Sequence, residues 1–465
     1  MTDKKEHLSI PRIVIAGTQS GVGKTTLTAG LIRHWRDQGL VVQPFKVGPD
    51  YIDPGFHSQA AGRTAHNLDS WLVNPEQIPK LFSAACEGAD IAVIEGVMGL
   101  FDGGQDGRSS TAEIARLLDA PIVLVHDCKS AGESAAAAIL GFYQYDERIA
   151  PAGVILNRLG SENHGKMITE PLAKRDILVF GQVARQDNLG REERHLGLVP
   201  VEASDPEEAI LASAQVAERN LDARALLVLA RNAKPLILPE EIALVKEFAG
   251  VRIGVAQDEA FSFRYPASLS VLTELGAELI EFSPINDDKL PDHLDGLFFG
   301  GGFPELHLPK LTANQGILNS IRGFHQSNRP IWAECGGFLY LCRTLSDFTG
   351  KQYPLVGLIP AHTEMTKKLQ AVGYVTATAR QNNLLLLEGK SLRGHHFHFS
   401  QIIPETTDFP WAFSLKSRRG EELDGYAKGN LLASYVHIHL LGNVEAGKRF
   451  LDHCQTVKIE HRKQV

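Results

Sequence analysis

Cysteine is scarce in this chain: 465 residues carry five, and no two form a CxxC pair. That excludes a disulfide framework and fits a reducing compartment. A surplus of basic charge is missing as well. Lys and Arg number 47 against 55 Asp and Glu, for a net charge of −8 and a pI of about 6.1. No nucleic-acid-binding surface is therefore expected. No apolar run approaches the ~20 residues that span a bilayer. Residues Met1 to Ser9 are charged and polar, without the apolar core of a signal peptide. Internal repeats and low-complexity tracts are absent too. What is present is ordinary for a globular chain, 43% hydrophobic and 22% charged residues. The expectation is a cytoplasmic protein with no membrane contact. At ~100–200 residues per domain, it should hold two or three domains.

Two stretches each open on a strand of the buried type and continue as alternating strands and helices. The first opens at Arg12–Thr18 (RIVIAGT), with apolar runs at Val41–Val47, Ile91–Glu95, Pro121–His126, Gly153–Asn157 and Leu178–Val183. Helical patterns at Lys24–Asp37 and Gly132–Tyr143 lie between them. The second opens at Arg252–Gln257. Strands are expected at Ala277–Phe282, Gly296–Phe299, Pro330–Glu334, Gly373–Ala379, Phe397–Ile403 and Leu432–His437, and helices at Ala267–Leu275 and Asn314–Gln326. Short β-rich runs separated by helices imply βαβ units and parallel sheets, an α/β fold. Between the two, Arg185–Glu247 is charged and rich in alanine and leucine, and reads as helix and linker. The boundary falls near Pro235–Gly250, for an expected division into 1–190, 191–249 and 250–465.

Gly17–Thr26 reads GTQSGVGKTT, between the first strand and a helix. Glycines such as Gly21 and Gly23 let the backbone curl so that its N–H groups face phosphate oxygens, and the helix N-terminus adds its positive end. Lys24 would reach the β- and γ-phosphates, the Thr25 hydroxyl would bind Mg²⁺, and Thr26 completes the loop. The spacing departs from GxxxxGK[ST], since Thr18 stands where the first glycine should be. That form resembles the dethiobiotin synthetase group of P-loop ligases. Mg²⁺–ATP also needs hard oxygen ligands. Lys46–Pro54 (KVGPDYIDP) offers Asp50 and Asp53, and Ile94–Gly103 (IEGVMGLFDG) offers Glu95 and Asp102, both at strand ends where open α/β sheets bind ligands. Glu95, directly after its apolar run, stands first. Asp53, before Pro54, reads as a turn residue.

Pro330–Leu341 reads PIWAECGGFLYL. An apolar strand runs into Cys335, two glycines follow, and then a helical apolar pattern: a nucleophile elbow with cysteine in place of serine. The start of that helix lowers a thiol pKa. The Gly336 N–H would stabilise an oxyanion, with a second donor from Gly300–Gly302, centred on Gly301. Cys86, Cys128 and Cys342 read instead as small buried hydrophobes. A thiolate nucleophile needs a base. His437 and His439 in SYVHIHL share one strand face by period two. His395, His396 and His398 form another cluster. A metal site there is conceivable but is set aside, because the elbow already accounts for one histidine.

Taken in order, GTQSGVGKTT, FKVGPDYIDP, NLDSW (Asn67–Trp71), IEGVMGLFDG, GVILNR (Gly153–Arg158), RHLGLVP (Arg194–Pro200), FGGGFPE, AECGGFLYL, RGHHFHFS and YVHIH resemble the CobB/CbiA family of glutamine-dependent amidotransferases of corrinoid biosynthesis. The resemblance covers nearly the whole chain. It implies a P-loop synthetase domain followed by a class I glutamine amidotransferase domain. Cys335 would attack the side-chain amide of L-glutamine, with His437 activating it. ATP would convert a carboxylate of a cobyrinate-type tetrapyrrole into an acyl phosphate. Mg²⁺ would sit on Thr25, Asp50 and Glu95, while Lys46, Asp53 and Asp102 handle substrate or ammonia. Lys46, Arg63 and Arg158 are candidates to receive substrate carboxylates. The resemblance leaves room for a homodimer. Two departures stand out. Many class I members carry His-x-Glu, but here the second residue after His437 is His439, which implies a Cys–His dyad or an acid from elsewhere. The family's GHEFH reads GHHFH, with His396 replacing the acid. Hydrogenobyrinate or nickel-sirohydrochlorin would fit the same motifs. A P-loop switch ATPase with a degenerate second domain is a different class, opposed by the intact Cys335 elbow.

Overall fold

The computed structural model describes residues 7–104, 107–185, 206–239 and 244–464. The motif Arg194–Pro200 lies outside the described residues. The chain divides into two compact units, Met1–Glu241 and Ile242–Val465.

In the first unit, a short strand β1 (His7–Leu8) precedes β2 (Arg12–Gly17), β3 (Val42–Val47), β4 (His66–Leu68), β5 (Ile91–Glu95), β6 (Ile122–Asp127), β7 (Pro151–Leu159) and β8 (Val179–Ala184). The last seven form one parallel sheet in the order β4-β3-β5-β2-β6-β7-β8. Every residue of β2, β3 and β5 is buried, as strands covered on both faces require. The chain moves from β2 to β3 and β5 on one side, then crosses to β6 on the other. The carboxyl end of β2 is thus a topological switch point, where such sheets bind ligands.

Helix α1 (Lys24–Asp37) starts there, entered through Gly23 in the left-handed region at φ 92°. Its buried face packs on the helix Pro206–Asn220. Gly30 permits the approach, because a Cβ there would collide with the Ser213 carbonyl. Arg33 adds an ion pair to Glu207 at 2.8 Å. Arg12, fully buried, donates to the carbonyls of Leu118 (2.6 Å), Ile10 (3.1 Å), Asp119 (3.2 Å) and Lys234 (2.5 Å). A buried guanidinium needs that many acceptors. It fastens the stretch around Lys234 to the first strand of the sheet. The segment expected as helix and linker therefore contributes two helices, Pro206–Asn220 and Ala223–Arg231, to the first unit's core.

The second unit is built on a ten-stranded mixed sheet. Five parallel strands lie side by side: Glu278–Phe282, Arg252–Ala256, Gly296–Phe299, Ile331–Glu334 and Leu431–Ser434. Antiparallel strands Gly420–Lys428, Trp411–Ser417, Ala371–Ala379, Ser391–His398 and His437–Ile438 complete it. A smaller four-stranded sheet holds Gln352–Pro354, Cys342–Ser346, Ile359–Met365 and Ser400–Pro404. The run Phe397–Ile403, expected as one strand, is split at Phe399. Ser391–His398 belongs to the large sheet and Ser400–Pro404 to the small one. The expected strand Leu432–His437 breaks likewise, into Leu431–Ser434 and His437–Ile438.

The α1 contact yields a paired prediction. Gly30→Ala forces a methyl into a closed helix–helix contact and should destabilise the chain by ~1–3 kcal/mol. Gly141→Ala, in the helix Glu133–Gln144 with nothing within 4 Å of the new methyl, should stabilise it by roughly 0.5–1 kcal/mol. Urea unfolding midpoints of the two full-length variants check the opposite signs.

Candidate active sites

The loop after β2 wraps the start of α1. Gly21 and Gly23 both have positive φ, 73° and 92°. The Thr18 N–H is held by Val125 O at 3.1 Å, and Asn157 Nδ2 donates to Val22 O at 2.8 Å. Lys24 reaches back over the loop and donates to Met98 O (2.6 Å) and Gln19 O (3.3 Å). Burial lowers its pKa, against the pull of Glu95. Thr26 is buried within α1.

Beside the loop, three oxygens converge. Thr25 Oγ1 donates to Glu95 Oε1 at 2.8 Å and lies 3.3 Å from Asp53 Oδ2. Lys46 Nζ contacts the same two carboxylate oxygens, Asp53 Oδ2 at 2.5 Å and Glu95 Oε1 at 2.9 Å, with Asp50 farther off at 3.9 Å. The other Glu95 oxygen takes a short hydrogen bond from His57 Nε2. Burial lowers the Lys46 pKa, but Asp53, Glu95 and Asp50 more than reverse it. Burial raises Glu95, yet Lys46 and then His57 hold it below the usual carboxylate range. Asp53 is pushed up, first by burial and then by Asp50, against Lys46.

The expected Mg²⁺ set changes here. Asp50 Oδ1 accepts the Ile52 and Asp53 N–H groups at 2.9 and 3.2 Å, so it caps the turn. Asp53, expected to be the turn residue, takes the inner position instead. It heads the helix Asp53–Ala61, whose first turn accommodates Pro54 and aims the carboxylate at Thr25. Among the described residues, no group of three or more His, Cys, Asp or Glu side chains is arranged to hold a metal ion. The donor set here is one hydroxyl and two carboxylates. That fits Mg²⁺, which uses one or two carboxylates and keeps water and phosphate oxygens.

Lys46 is ringed by acids, which disfavours its receiving a substrate carboxylate. Arg63 is engaged with Gln43 Oε1 and the carbonyls of Ala85 and Glu87, and Arg158 with Asp127 at 2.6 Å. Asp102 is exposed and accepts the Gly99 N–H at 2.9 Å.

In the second unit, Cys335 stands between the strand Ile331–Glu334 and the helix Gly336–Leu341 at φ 46°, ψ −102°. A non-glycine residue held there costs roughly 1–3 kcal/mol, typical of functional sites. Its N–H is fixed on Ser434 O at 2.7 Å, and Gly337 N donates to Gly300 O at 3.1 Å. A side chain on Gly337 would meet Phe299 Cβ at 2.6 Å. The glycines after the nucleophile are therefore demanded by crowding. Burial raises the thiol pKa, Glu305 adds to it, and the Gly336 N–H works in the opposite direction.

Gly301 needs correction as an oxyanion donor. Its N–H is already given to Phe263 O at 2.9 Å. The neighbouring Gly302 nitrogen lies 3.0 Å from where a Cβ on Gly336 would project, so the backbones of Gly302 and Gly336 pass close together. Gly301 matters for a different reason. A Cβ on it would fall 2.5 Å from His437 Cε1.

His437 is fully buried, with the Phe263 ring edge-on at 4.6 Å. Its Nδ1 lies 3.6 Å from Glu334 Oε2, and Glu334 Oε1 accepts the Ile438 N–H at 3.1 Å. His439 rests against the Tyr265 ring at 4.9 Å. His398 stacks on Tyr435 at 3.6 Å and bonds Ser400 O at 2.9 Å, while His396 Nδ1 lies 3.5 Å from Glu422. Burial pushes His395 down to about 3, and His396 and His398 to about 4. Burial and these three neighbours push His437 down as well, so the cluster is neutral near pH 7.

Residues 13–199 match the CobQ/CobB/MinD/ParA nucleotide binding domain, and residues 252–444 the CobB/CobQ-like glutamine amidotransferase domain. The chain is 41% identical to cobyrinate a,c-diamide synthase of Thermoplasma volcanium over 96% of its length and 98% of the relative's. It is 40% identical to the same enzyme of Dehalococcoides mccartyi, again over 96% and 98%. The Leptospira interrogans enzyme is 38% identical over 96% and 99%. This chain belongs to the cobyrinate a,c-diamide synthase family. Its parallel-sheet unit is the family's nucleotide-binding domain, and the unit bearing Cys335 is its amidotransferase domain.

Three residues at these family sites escape a reading of the sequence. His57 gives no signal at all. Gly302 is hidden in a run of three glycines. Glu334 does leave one, an acid directly before the nucleophile in AECGG.

Two predictions follow from the geometry. Asp53→Asn should lower ammonium-driven, ATP-dependent amidation by at least the ~10–100-fold typical of disturbed metal sites, and Asp50→Asn by much less, measured as product formed at saturating ATP. Gly301→Ala should displace the His437 ring and lower glutamine hydrolysis at least ~10-fold, consistent with the sensitivity of catalysis to ångström misplacement. The far-UV circular dichroism spectrum should not change.

Proposed function

We propose that this chain converts the a and c acetate carboxylates of cobyrinate to amides, using ATP and L-glutamine. The observation that carries this reading is the coexistence of a phosphate loop beside Thr25, Asp53 and Glu95 with a strained cysteine elbow beside His437. Neither site alone would complete the reaction. The names of the relatives support cobyrinate over hydrogenobyrinate or nickel-sirohydrochlorin. An intact elbow is not what a degenerate domain on a switch ATPase would keep.

In the amidotransferase unit, the Cys335 thiol gives its proton to His437 and the sulfur attacks the side-chain carbonyl of glutamine. The oxyanion is met by the N–H groups of Gly336 and Gly302. The carbon–nitrogen bond breaks, the proton returns to the leaving nitrogen, and ammonia departs. Water then hydrolyses the γ-glutamyl thioester to glutamate.

In the nucleotide unit, the difficulty is that a carboxylate has no leaving group for ammonia. Transfer of the γ-phosphoryl group to a carboxylate oxygen makes an acyl phosphate, and ammonia displaces phosphate with loss of one proton. Lys24 leaves Met98 O and Gln19 O to contact the phosphates. Thr25, Asp53 and Glu95 would hold Mg²⁺, which supplies charge neutralisation on the phosphate oxygens. Lys46 and His57 keep the two carboxylates in place. A cytoplasmic setting suits the five cysteines, all free.

Cys335→Ala tests the division of labour. The variant should lose glutamine hydrolysis and glutamine-driven amidation, yet form diamide from cobyrinate, ATP and ammonium at a rate near that of the parent. Persistent ammonia release from glutamine would refute the nucleophile. A parent enzyme that leaves cobyrinate unamidated would refute the substrate.

A further inference from the structure

The amidotransferase unit lacks an acid two residues after its histidine, and His439 in that place packs on Tyr265. Yet an imidazole that becomes charged during catalysis needs a partner for its second nitrogen. The described residues place three acids near the thiol: the half-buried Glu305 and the buried Asp424 and Glu334. Asp424 is committed to the Tyr435 N–H at 3.1 Å. Among the described residues, the ion pair of His437 is with Glu334 and not with Glu305. Glu334 alone meets both requirements of position. One carboxylate oxygen is 3.6 Å from His437 Nδ1, and the other is anchored by the N–H of Ile438, the residue after the histidine. The strand that ends in the nucleophile and the strand that carries the base are thus joined through this one side chain.

The surroundings suit a carboxylate. Beside Glu334 lies a small cavity of about 10 Å³, lined among others by Arg264, Ser268, Trp332 and Ile438. Arg264 Nη1 and Trp332 Nε1 are buried N–H groups with no protein acceptor among the described residues. A cavity of that size takes at most one water, and its largely apolar lining leaves groups such as Glu334, Arg264, Ser268 and Trp332 to bind it. Such a water would accept from these donors and donate to Glu334, offsetting the burial that disfavours its charged form.

We propose that Glu334 is the positioning acid of the thiol site, in the role that the glutamate of His-x-Glu fills elsewhere. It accepts the Nδ1–H of His437, which fixes the tautomer in which Nε2 is the base. The 3.6 Å contact closes as the ring takes the Cys335 proton, as such bonds do in reacting complexes. No atom of Glu334 enters a covalent step, and it neither gains nor loses a proton. The proposal rests on Cys335 being the glutaminase nucleophile.

The test uses Glu334→Gln, Glu334→Asp and the double variant His437→Ala/Glu334→Gln in the full chain. Glutamine hydrolysis by Glu334→Gln should lose ~10²–10⁴ in kcat, the range seen when an orienting acid becomes an amide. KM for glutamine should stay within about threefold, as for an interaction made in the transition state. Glu334→Asp, which keeps the charge but shortens the arm, should fall between. In the His437→Ala background, Glu334→Gln should cost nothing further. Ammonium-driven amidation reports folding throughout. Wild-type kcat in Glu334→Gln overturns the proposal, and so does an equal loss in the His437→Ala background. Should Glu334→Gln not fold, Glu334→Asp decides: unchanged kcat overturns the proposal, and an intermediate loss with ammonium-driven activity kept supports it. If Cys335→Ala itself still hydrolyses glutamine, the nucleophile assignment fails first and separately.

Discussion

An ammonium group buried to 3% exposure has to be neutralised where it lies, and the nucleotide site is arranged around that requirement. Lys46 projects from β3 and meets Asp53 from the head of the next helix and Glu95 from the end of β5. Each element that contributes a charge is thereby fixed relative to the others. Breaking such a buried set by removing one member typically costs ~3–5 kcal/mol, because a charge is left without a partner. Thr25 is drawn in because its hydroxyl bonds Glu95 and lies against Asp53, so the start of α1 and the loop before it are held as well. His57 closes the back of Glu95. The oxygens that face the phosphate loop are therefore in place before any nucleotide arrives. Preorganisation of that kind is what electrostatic catalysis requires.

The thiol site obeys a different constraint, crowding. Cys335 is held at positive φ because its N–H is bonded to Ser434, the glycine after it stands against Gly302, and the next stands against Phe299. No side chain fits at Gly337, and one at Gly336 would press on the Gly302 backbone. His437 enters the same space past Gly301. Three separate stretches of chain, around Gly301, Cys335 and His437, are then brought together by close contact.

This difference decides what could be read from the sequence. The phosphate loop and the elbow are local devices, in which every necessary residue lies within a few positions, and both were legible. So were most strands of the parallel sheets, because burial on both faces makes them continuous apolar runs. The antiparallel hairpin Trp411–Lys428 was not, since Gly420–Lys428 exposes its first half. Distant partnerships were also hidden. Asp53 looks like a turn residue because Pro54 follows it. In fact proline is well suited to a helix start, and the helix turns Asp53 inward. Gly301 is set apart from Gly302 by a bridge to Phe263, distant in sequence. Glu334 and His437 meet because Glu334 pairs with Ser434, three residues before the histidine, across two strands far apart in sequence, which no spacing rule conveys.

The two sites also hold protons and charges in opposite ways, and the chemistry explains why. Phosphoryl transfer moves little covalent density onto the protein, so its groups serve best as fixed charges: Lys46 is kept protonated and Glu95 ionised, each by the other. Glutamine hydrolysis must pass a proton from sulfur to imidazole and on to the leaving nitrogen. Burial raises the Cys335 thiol and lowers His437, leaving both neutral at rest. A resting ion pair would make a standing thiolate, open to oxidation and to any electrophile. Neutral partners defer the charge until glutamine fills the site and the oxyanion donors are engaged. One unit thus needs buried charges in pairs, while in the other the thiol and its base stay neutral until substrate is bound. Those demands on the local dielectric conflict within a single core, and they are met by giving each chemistry a sheet of its own.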